Sequence, residues 1–278
     1  GANKGTRRRV LVVGGAAGMG GAAILAARGA LRSGAGMVKL CVESASIAPA
    51  QSAVPAALTT PWPLDEPALA DVLGWAHVVL LGPGLGLSRA ARELADRVLT
   101  AWRGPVVVDA DALNAFEGNA ERLGELLKGR PAVVTPHPVE AQRLAGTTAS
   151  DIDAGRFDAA ALLAQRVRAT VLLKGVPTEV ADAHRTLVVA AGTPVLATGG
   201  SGDVLGGIVA TLLAQTGDAT AAAASGAWAH GRAAEIAGAG RIRGVNLDDV
   251  VEALANAWYL PPRVAADVLV ELPAVGTR

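Results

Sequence analysis

Short apolar runs alternate with alanine- and leucine-rich stretches along most of this chain, and this alternation most constrains its fold. The runs are continuously apolar, as in strands of a parallel sheet with both faces covered by helices. The pattern therefore predicts an α/β protein with three layers, α/β/α, around a mostly parallel central sheet. The expected strands are Val10–Val13, Met37–Val42, Val78–Leu81, Val106–Val108, Ala132–Thr135 and Val171–Leu173. The expected helices are Ala22–Arg32, Arg89–Trp102, Pro138–Ala145, Phe157–Arg168, Asp203–Gln215, Ala219–Ala237 and Leu247–Ala257, and the segment Ser44 to Pro67 stays unassigned.

The composition favours one well-packed domain that acts on a small molecule. With 278 residues, of which 51% are hydrophobic, the chain is near the upper size for one core, so we expect a single domain over residues 1–278. Positive and negative side chains balance at 25 each, whereas proteins that bind nucleic acid or anionic membranes carry a basic excess. The one cysteine, Cys41, excludes an intrachain disulfide, and we expect a buried, inert thiol in a cytoplasmic setting.

The first apolar stretch superficially resembles a signal peptide or a membrane span, because Arg7, Arg8 and Arg9 precede uncharged residues 10–27. Five glycines interrupt this stretch, and a spanning helix rarely carries so many so close together. A strand, a glycine turn and a helix explain the stretch better, so we expect no membrane partner.

A glycine-rich segment after the first expected strand loosely matches the dinucleotide fingerprint Gly-x-Gly-x-x-Gly/Ala. The match is Gly18 to Ala23, and Glu43 lies about twenty residues further on, where an acid would bind a ribose. The fingerprint normally begins at the strand end, but four residues intervene here. A nicotinamide site of the dehydrogenase type is therefore a minor alternative, and no Gly-Lys-Ser/Thr phosphate loop occurs.

The strongest motif is Thr198-Gly199-Gly200-Ser201-Gly202-Asp203, which runs directly into an apolar helix. Glycines let the backbone approach a ligand closely, and the free N–H groups at a helix N-terminus favour a phosphate or a developing oxyanion. Asp203 in the first turn is then placed to accept a proton from a substrate hydroxyl, and the helix end is expected to keep it ionised. The simpler alternative is that Ser201 or Asp203 only caps the helix.

Other polar groups follow the ends of expected strands, where open α/β sheets bind their ligands. They are Gly82-Pro83-Gly84, Asp109-Ala110-Asp111-Ala112-Leu113-Asn114, Pro136-His137-Pro138-Val139-Glu140 and Lys174-Gly175-Val176-Pro177-Thr178. Turns, helix caps and a solvated lysine are the simpler explanations of each one. His77, His184 and His230 are interpreted as structural or exposed.

In this order and spacing, these stretches resemble the ribokinase-like superfamily, and more narrowly the ADP/ATP-dependent NAD(P)H-hydrate dehydratases. The resemblance runs from Lys4-Gly5 to about Trp258 and also includes Gly21-Ala22-Ala23 and residues 31–36. It implies a ribokinase-like fold. It implies substrate contacts at Ala22, Gly84, Asn114, His137 and Asp203, and nucleotide contacts at Lys174, Gly175, Val176, Pro177, Thr178, Gly200, Ser201 and Gly202.

The resemblance also implies the reaction and its partners. Hydrated NADH or NADPH would be phosphorylated on the ring hydroxyl by ADP or ATP, with Asp203 as the catalytic residue, and phosphate would then leave. Mg²⁺ would neutralise the nucleotide phosphates, with Glu140 organising its water shell. The family commonly forms symmetric homo-oligomers. Val139 departs from the family's usual Pro-His-Pro-Gly-Glu pattern, and the first glycine loop lacks the usual proline or aromatic residue near Met19-Gly20. Both departures affect the expected substrate pocket.

Two alternatives remain at this point. A ribokinase-like kinase for a vitamin precursor or sugar would share the glycine loop and Asp203 but keep its phosphorylated product. A nucleotide-binding protein without catalytic activity is the more remote alternative. In many relatives this domain follows an epimerase domain, so the chain can also be read as the C-terminal half of a longer bifunctional protein.

Overall fold

A ten-stranded sheet forms the centre of the protein in a computed structural model that describes residues 8–147, 156–241, 243–259 and 269–272. The Lys4-Gly5 pair of the resemblance lies outside these residues. The strand order is β10-β9-β8-β7-β6-β5-β4-β1-β2-β3. The strands are β1 Arg9–Val13, β2 Met37–Glu43, β3 Leu58–Trp62, β4 Val78–Leu81, β5 Val106–Val108, β6 Ala132–Val134, β7 Thr170–Leu173, β8 Thr178–Ala181, β9 Thr186–Val189 and β10 Leu269–Leu272.

Strands β1 to β7 are all parallel to one another, and β8, β9 and β10 extend the sheet beyond β7 in antiparallel pairing. All six predicted strands are present within a residue or so, and the mostly parallel sheet is confirmed. Four strands were not predicted. One of them, β3, lies at the sheet edge with Pro61 in it and is only partly buried, so it lacks the continuous apolar run on which the prediction relied.

Helices cover both faces of the sheet. One core packs α3 Glu66–Trp75, α4 Arg89–Ala101, α6 Ala120–Leu127, α7 Pro138–Ala145 and α8 Arg156–Val167 against one face. A second core packs α1 Gly20–Arg32, α2 Ser44–Ala53, α9 Ser201–Thr216 and α10 Ala219–Gly238 against the other. The short α5 Asp111–Asn114 and the 3₁₀ turn Pro194–Leu196 lie in loops, and α11 Leu247–Ala257 packs on α10. The three-layer α/β/α architecture is confirmed.

The backbones of α1 and α9 cross in direct contact because each helix has a glycine at the crossing. A side-chain carbon on Gly29 of α1 would overlap the carbonyl oxygen of Val204, and one on Gly207 of α9 would overlap that of Ala26. The glycines therefore bring the N-terminal part of α9 against α1, with no side chain between them.

None of the described helices is long and apolar enough to cross a membrane.

Replacing Gly207 by alanine tests the helix crossing. The new methyl group would meet backbone on the facing helix, which cannot rotate away, so we expect a loss of about 2 kcal/mol or more in the free energy of unfolding. Gly74→Ala in α3 is the matched control, because its methyl group meets nothing within 4 Å. That variant should be unchanged or up to about 1 kcal/mol more stable. Denaturant unfolding of both variants measures the difference, and equal stabilities would contradict the proposed role of Gly207.

Candidate functional site

The candidate site lies along the carboxyl edge of the parallel strands. Loops that follow β1, β4, β5, β6 and β7 all emerge at this edge, because parallel strands end on the same side. The N-terminus of α9 reaches the same edge. The structure thus brings together the predicted groups that the sequence scatters over nearly two hundred residues.

The glycine loop before α9 is shaped by Gly200. This residue is the N-cap in a left-handed conformation, with φ of 90°, and a side chain there would overlap Leu25 of α1. No side chain caps α9, so the interpretation of Ser201 or Asp203 as a simple helix cap is wrong. The first N–H groups of a helix lack partners within it, so this end of α9 is available to an anion.

Asp203 is half-buried in the first turn of α9, and its pKa is raised from 3.8 to about 7. Burial is the largest cause of this rise and the nearby carboxylate of Asp109 is the next, whereas the ammonium group of Lys174 opposes them. At a pKa of about 7, Asp203 is only partly ionised at neutral pH, which contradicts the expectation that the helix end keeps it ionised. A carboxyl that titrates near neutral pH can both accept and return a proton.

Lys174, at the end of β7, is tied into the site and is not a solvated lysine. Its Nζ lies 2.8 Å from Oδ1 of Asp109 and 3.7 Å from Oε2 of Glu140, and its backbone amide donates to the Pro136 carbonyl at 2.8 Å. Burial disfavours its charge, but Asp109 and Glu140 outweigh burial and raise the pKa of Lys174. Lys174, whose side chain is 19% exposed, is therefore a cation held between two carboxylates.

His137 and Glu140 form a reciprocal cap at the start of α7. Nδ1 of His137 accepts from the amides of Val139 at 3.2 Å and Glu140 at 3.4 Å, and Oε2 of Glu140 accepts from the His137 amide at 2.8 Å. Nε2 of His137 lies 3.3 Å from Oε1 of Glu140. Burial, and then Lys174, lower the pKa of His137, so the half-exposed ring is neutral at pH 7 and held in one orientation.

The carboxylates at this edge do not form a metal site of their own. Within the described ranges, no three His, Cys, Asp or Glu side chains are arranged to hold a metal ion. Both oxygens of Glu140 already contact His137, and one of them lies near Lys174. The cation among these carboxylates is the ammonium group of Lys174. The described side chains therefore do not form a direct Mg²⁺ site, and the indirect role of Glu140 in organising the water shell of Mg²⁺ stays a prediction.

The first glycine loop interlocks with the loop after β4. Amides of Gly15 and Ala16 donate to the carbonyls of Pro83 and Gly84, at 2.9 and 2.7 Å. Gly84 has a φ of 56°, and a side-chain carbon there would lie 2.9 Å from the methyl group of Ala22. The structure thus places Ala22 and Gly84, two predicted substrate contacts, side by side.

Glu43 has a structural role in the same loop. Its Oε2 accepts a hydrogen bond from the amide of Ala17 at 2.6 Å, which ties the loop to the end of β2. The carboxylate is therefore engaged where the fingerprint would need it free for a ribose. This contact argues against the nicotinamide site of the dehydrogenase type.

The loop after β5 is held in an unusual conformation. Ala110 has a φ of 49° and a ψ of −122°, which is rare for a residue with a side chain. Oδ2 of Asp111 accepts from the amide of Gly86 at 2.8 Å, which joins this loop to the one after β4. Oδ1 of Asn114 is buried with no hydrogen-bond partner among the described residues, so it has capacity for a ligand.

The predicted nucleotide segment is the loop between β7 and β8. Thr178 donates from its hydroxyl to the carbonyl of Gly175 at 3.1 Å, which closes the loop. Val176 is 92% exposed, an unusual position for a valine. The loop begins at Lys174, whose Nζ lies 3.2 Å from the position that a Cβ on Gly202 would occupy. The two predicted nucleotide segments therefore adjoin.

The remaining histidines and the cysteine are structural or exposed, as predicted. Nδ1 of His77 accepts from the amide of Arg9, His184 lies in an exposed turn, and His230 is buried in α10. Cys41 is buried, and burial raises its thiol pKa to about 12, so it is inert.

Sequence reasoning missed the pairing of Asp109 with Lys174. Gly202 and Gly206, four residues apart on α9, were the signal that a group packs against that face.

Comparisons with known proteins identify the family. The family model described as NAD(P)H-hydrate dehydratase matches residues 10–256. An ADP-dependent (S)-NAD(P)H-hydrate dehydratase of Neisseria meningitidis is 40% identical over 239 residues, covering 84% of this chain and 78% of the relative. A bifunctional NAD(P)H-hydrate repair enzyme of Escherichia coli is 38% identical over 235 residues, covering 84% of this chain but 44% of the relative. This chain thus spans about half the length of its bifunctional relatives.

Comparison with solved structures supports the same family. The ADP/ATP-dependent NAD(P)H-hydrate dehydratase of Bacillus subtilis, co-crystallised with ATP and Mg²⁺, has a TM-score of 0.77 at 26% identity and covers 92% of this chain and 91% of its own. A ribokinase-like superfamily protein of Enterococcus faecalis has a TM-score of 0.78 at 27% identity, over 92% of this chain and 88% of its own. With the family model matching nearly the whole chain, this protein belongs to the NAD(P)H-hydrate dehydratase family, within the ribokinase-like fold.

Proposed function

We propose that this chain catalyses the dehydration of hydrated NADH and NADPH, with ADP or ATP as the phosphoryl donor. Asp203 carries the proposal: a carboxyl with a pKa of about 7 lies in the first turn of α9, directly after a glycine loop suited to a phosphate. Family membership identifies the reaction that such a pair of groups performs. The positions of the residues at this edge of the sheet support the roles that we propose for them below.

The nucleotide lies with its terminal phosphate against the amides of Gly200 and Gly202, because the amide of Ser201 already donates to the carbonyl of Thr198 at 3.2 Å. Helix-end N–H groups stabilise the negative charge that develops on the transferring phosphoryl group. The rest of the nucleotide follows the loop 175–178, where the exposed side chain of Val176 offers an apolar surface to the base. Mg²⁺ would be held by the nucleotide phosphates and would neutralise their negative charge.

The hydrate lies between the two interlocked glycine loops and α7. Ala22 and Gly84 form one wall, the neutral ring of His137 forms another, and Oδ1 of Asn114 is available for a hydrogen bond. His137 orients the substrate and does not transfer protons, because its ring is committed to the cap of α7. Val139 is exposed next to it, so its side chain can narrow the pocket entrance.

Asp203 accepts the proton of the ring hydroxyl as its oxygen attacks phosphorus. The new O–P bond replaces the bond to the nucleotide, which leaves as AMP or ADP. The carbon–oxygen bond then breaks with departure of phosphate, and the adjacent ring carbon loses a proton to form the double bond. The lone pair of the ring nitrogen assists this departure.

The experiment that tests the function is a turnover assay on hydrated NADH and hydrated NADPH, each with ADP and with ATP. Recovery of the dihydronicotinamide absorbance, with release of phosphate, is the expected result. Accumulation of a phosphorylated product without recovery would instead indicate a kinase, and no reaction with any combination would contradict the proposal. Analytical ultracentrifugation of the same preparation tests the homo-oligomer that the family resemblance predicts.

Asp203→Asn tests the catalytic carboxylate. Asparagine keeps the shape but cannot accept the proton, so we expect turnover to fall by at least about 100-fold with nearly unchanged nucleotide affinity. The matched control is Asp218→Ala, since Asp218 is a true helix cap whose carboxylate accepts from the amide of Ala221 at 2.9 Å. That variant should lose roughly 1 kcal/mol of stability and keep its turnover. More than a tenth of wild-type turnover in Asp203→Asn would overturn the mechanism.

The raised pKa of Asp203 also predicts how stability depends on pH. The folded state binds this proton more tightly than the unfolded state, so the contribution of Asp203 is fully favourable below pH 4 and is lost as pH rises through about 7. Above pH 7 the buried carboxylate destabilises the fold. Asp203→Asn should therefore have a higher Tm than the wild type at pH 8, and the difference should shrink towards pH 5. A lower Tm for Asp203→Asn than for the wild type at pH 8 would show that ionisation of Asp203 does not destabilise the folded protein.

A further inference from the structure

The ion pair of Asp109 and Lys174 lies directly beneath the turn of α9 that carries Asp203. Lys174 Nζ is 3.2 Å from the position of a Cβ on Gly202, and Asp109 Oδ2 is 3.4 Å from that of a Cβ on Gly206. Residues four apart lie on the same face of a helix. The two glycines thus give α9 a bare face, and the ion pair packs against its backbone.

The ion pair is itself held in place. Asp109 is 1% exposed, and its Oδ1 accepts both from Lys174 at 2.8 Å and from the amide of Ala110 at 2.8 Å. The amide in the second contact belongs to Ala110, the residue with the unusual backbone conformation. The backbone of Lys174 is anchored to the Pro136 carbonyl. Lys174 cannot move away without leaving the carboxylate of Asp109 buried and without its cation.

Charged groups on four elements act on Asp203. Asp109 follows β5, Asp111 belongs to α5 and Glu140 belongs to α7, and all three carboxylates raise its pKa in addition to burial. Lys174, after β7, supplies the positive charge that opposes them. The pair therefore contributes opposite charges next to one titrating carboxyl.

We propose that Asp109 and Lys174 act together as a positioning pair, which supports the first turn of α9 from below and controls when Asp203 takes up and releases its proton. This inference rests on the proposed function for its catalytic meaning. It differs from the nucleotide contact that the family resemblance implies for Lys174, since the ammonium group faces Asp109 and the helix.

The test is the pKa of Asp203 in Lys174→Met and Asp109→Asn, measured by NMR titration of protein with ¹³C-labelled aspartate carboxyls. Asp203→Asn identifies the signal. Loss of the cation should raise the pKa of Asp203 by about one pH unit, and loss of the anion should lower it by about one unit. The acid limb of the kcat/KM profile should move in the same two directions, so that Lys174→Met loses about fivefold at pH 7 and recovers at pH 9.

Controls separate this effect from a general change of charge or fold. Lys128→Met and Asp71→Asn remove the same charges at exposed positions away from the site and should leave the pKa of Asp203 unchanged. Lys174→Arg keeps the positive charge, so the dependence of kcat/KM on pH should keep the wild-type shape. The double variant Lys174→Met/Asp109→Asn leaves no unpaired partner in the pair, and should return the pKa of Asp203 close to the wild-type value. Should Lys174→Met fail to fold, Asp109→Asn and the double variant still decide the question.

Three outcomes would overturn the proposal. The pKa of Asp203 could stay within about 0.3 unit of the wild type in both single variants, or move in the same direction in both. Alternatively, Lys174→Met could weaken ADP binding in calorimetric titration with the profile unmoved, which would make Lys174 a nucleotide ligand only. The NMR titration needs no substrate, so a protein inactive on hydrates would refute the proposed function and leave this measurement interpretable.

Discussion

The contact between the backbones of α1 and α9 determines where the site can form. Gly29 and Gly207 remove the side chains that would keep these helices apart, and Gly200 lets the loop before α9 turn against Leu25. The N-terminus of α9 consequently reaches the carboxyl edge of the sheet next to the loops after β1 and β4. An anion site made from backbone N–H groups needs such accuracy, because main-chain groups cannot change rotamer to reach a misplaced ligand.

The second constraint is electrostatic. Four carboxylates share this edge of the sheet, and the cation among them is the ammonium group of Lys174. A lysine in that place neutralises part of the negative charge without creating a metal site, and the described residues form none. Asp203 is left with a pKa near neutrality, which suits a group that takes up and returns one proton per turnover. Burial is the largest contribution to that value.

Predictions from the sequence succeeded where a signal was local and repeated. Six apolar runs became strands, and the seven predicted helices followed from their alanine and leucine content, whereas α2, α3, α5 and α6 were not predicted. The missed strands β3, β8, β9 and β10 are short and lie towards the sheet edges, and β3 contains a proline. Glu43 shows the limit of motif spacing, since it lies where a ribose acid would but bonds to the amide of Ala17.

The sequence by itself determined the fold class, the family and the motifs that meet at the site, because glycine loops and apolar runs act through their immediate neighbours. Only the tertiary structure decided that Asp109 and Lys174, 65 residues apart, pair beneath Gly202 and Gly206. It also decided that Asp203 has a raised pKa, and that Glu140 caps its own helix. Burial and through-space charge decide these properties, and both depend on residues that are distant in sequence.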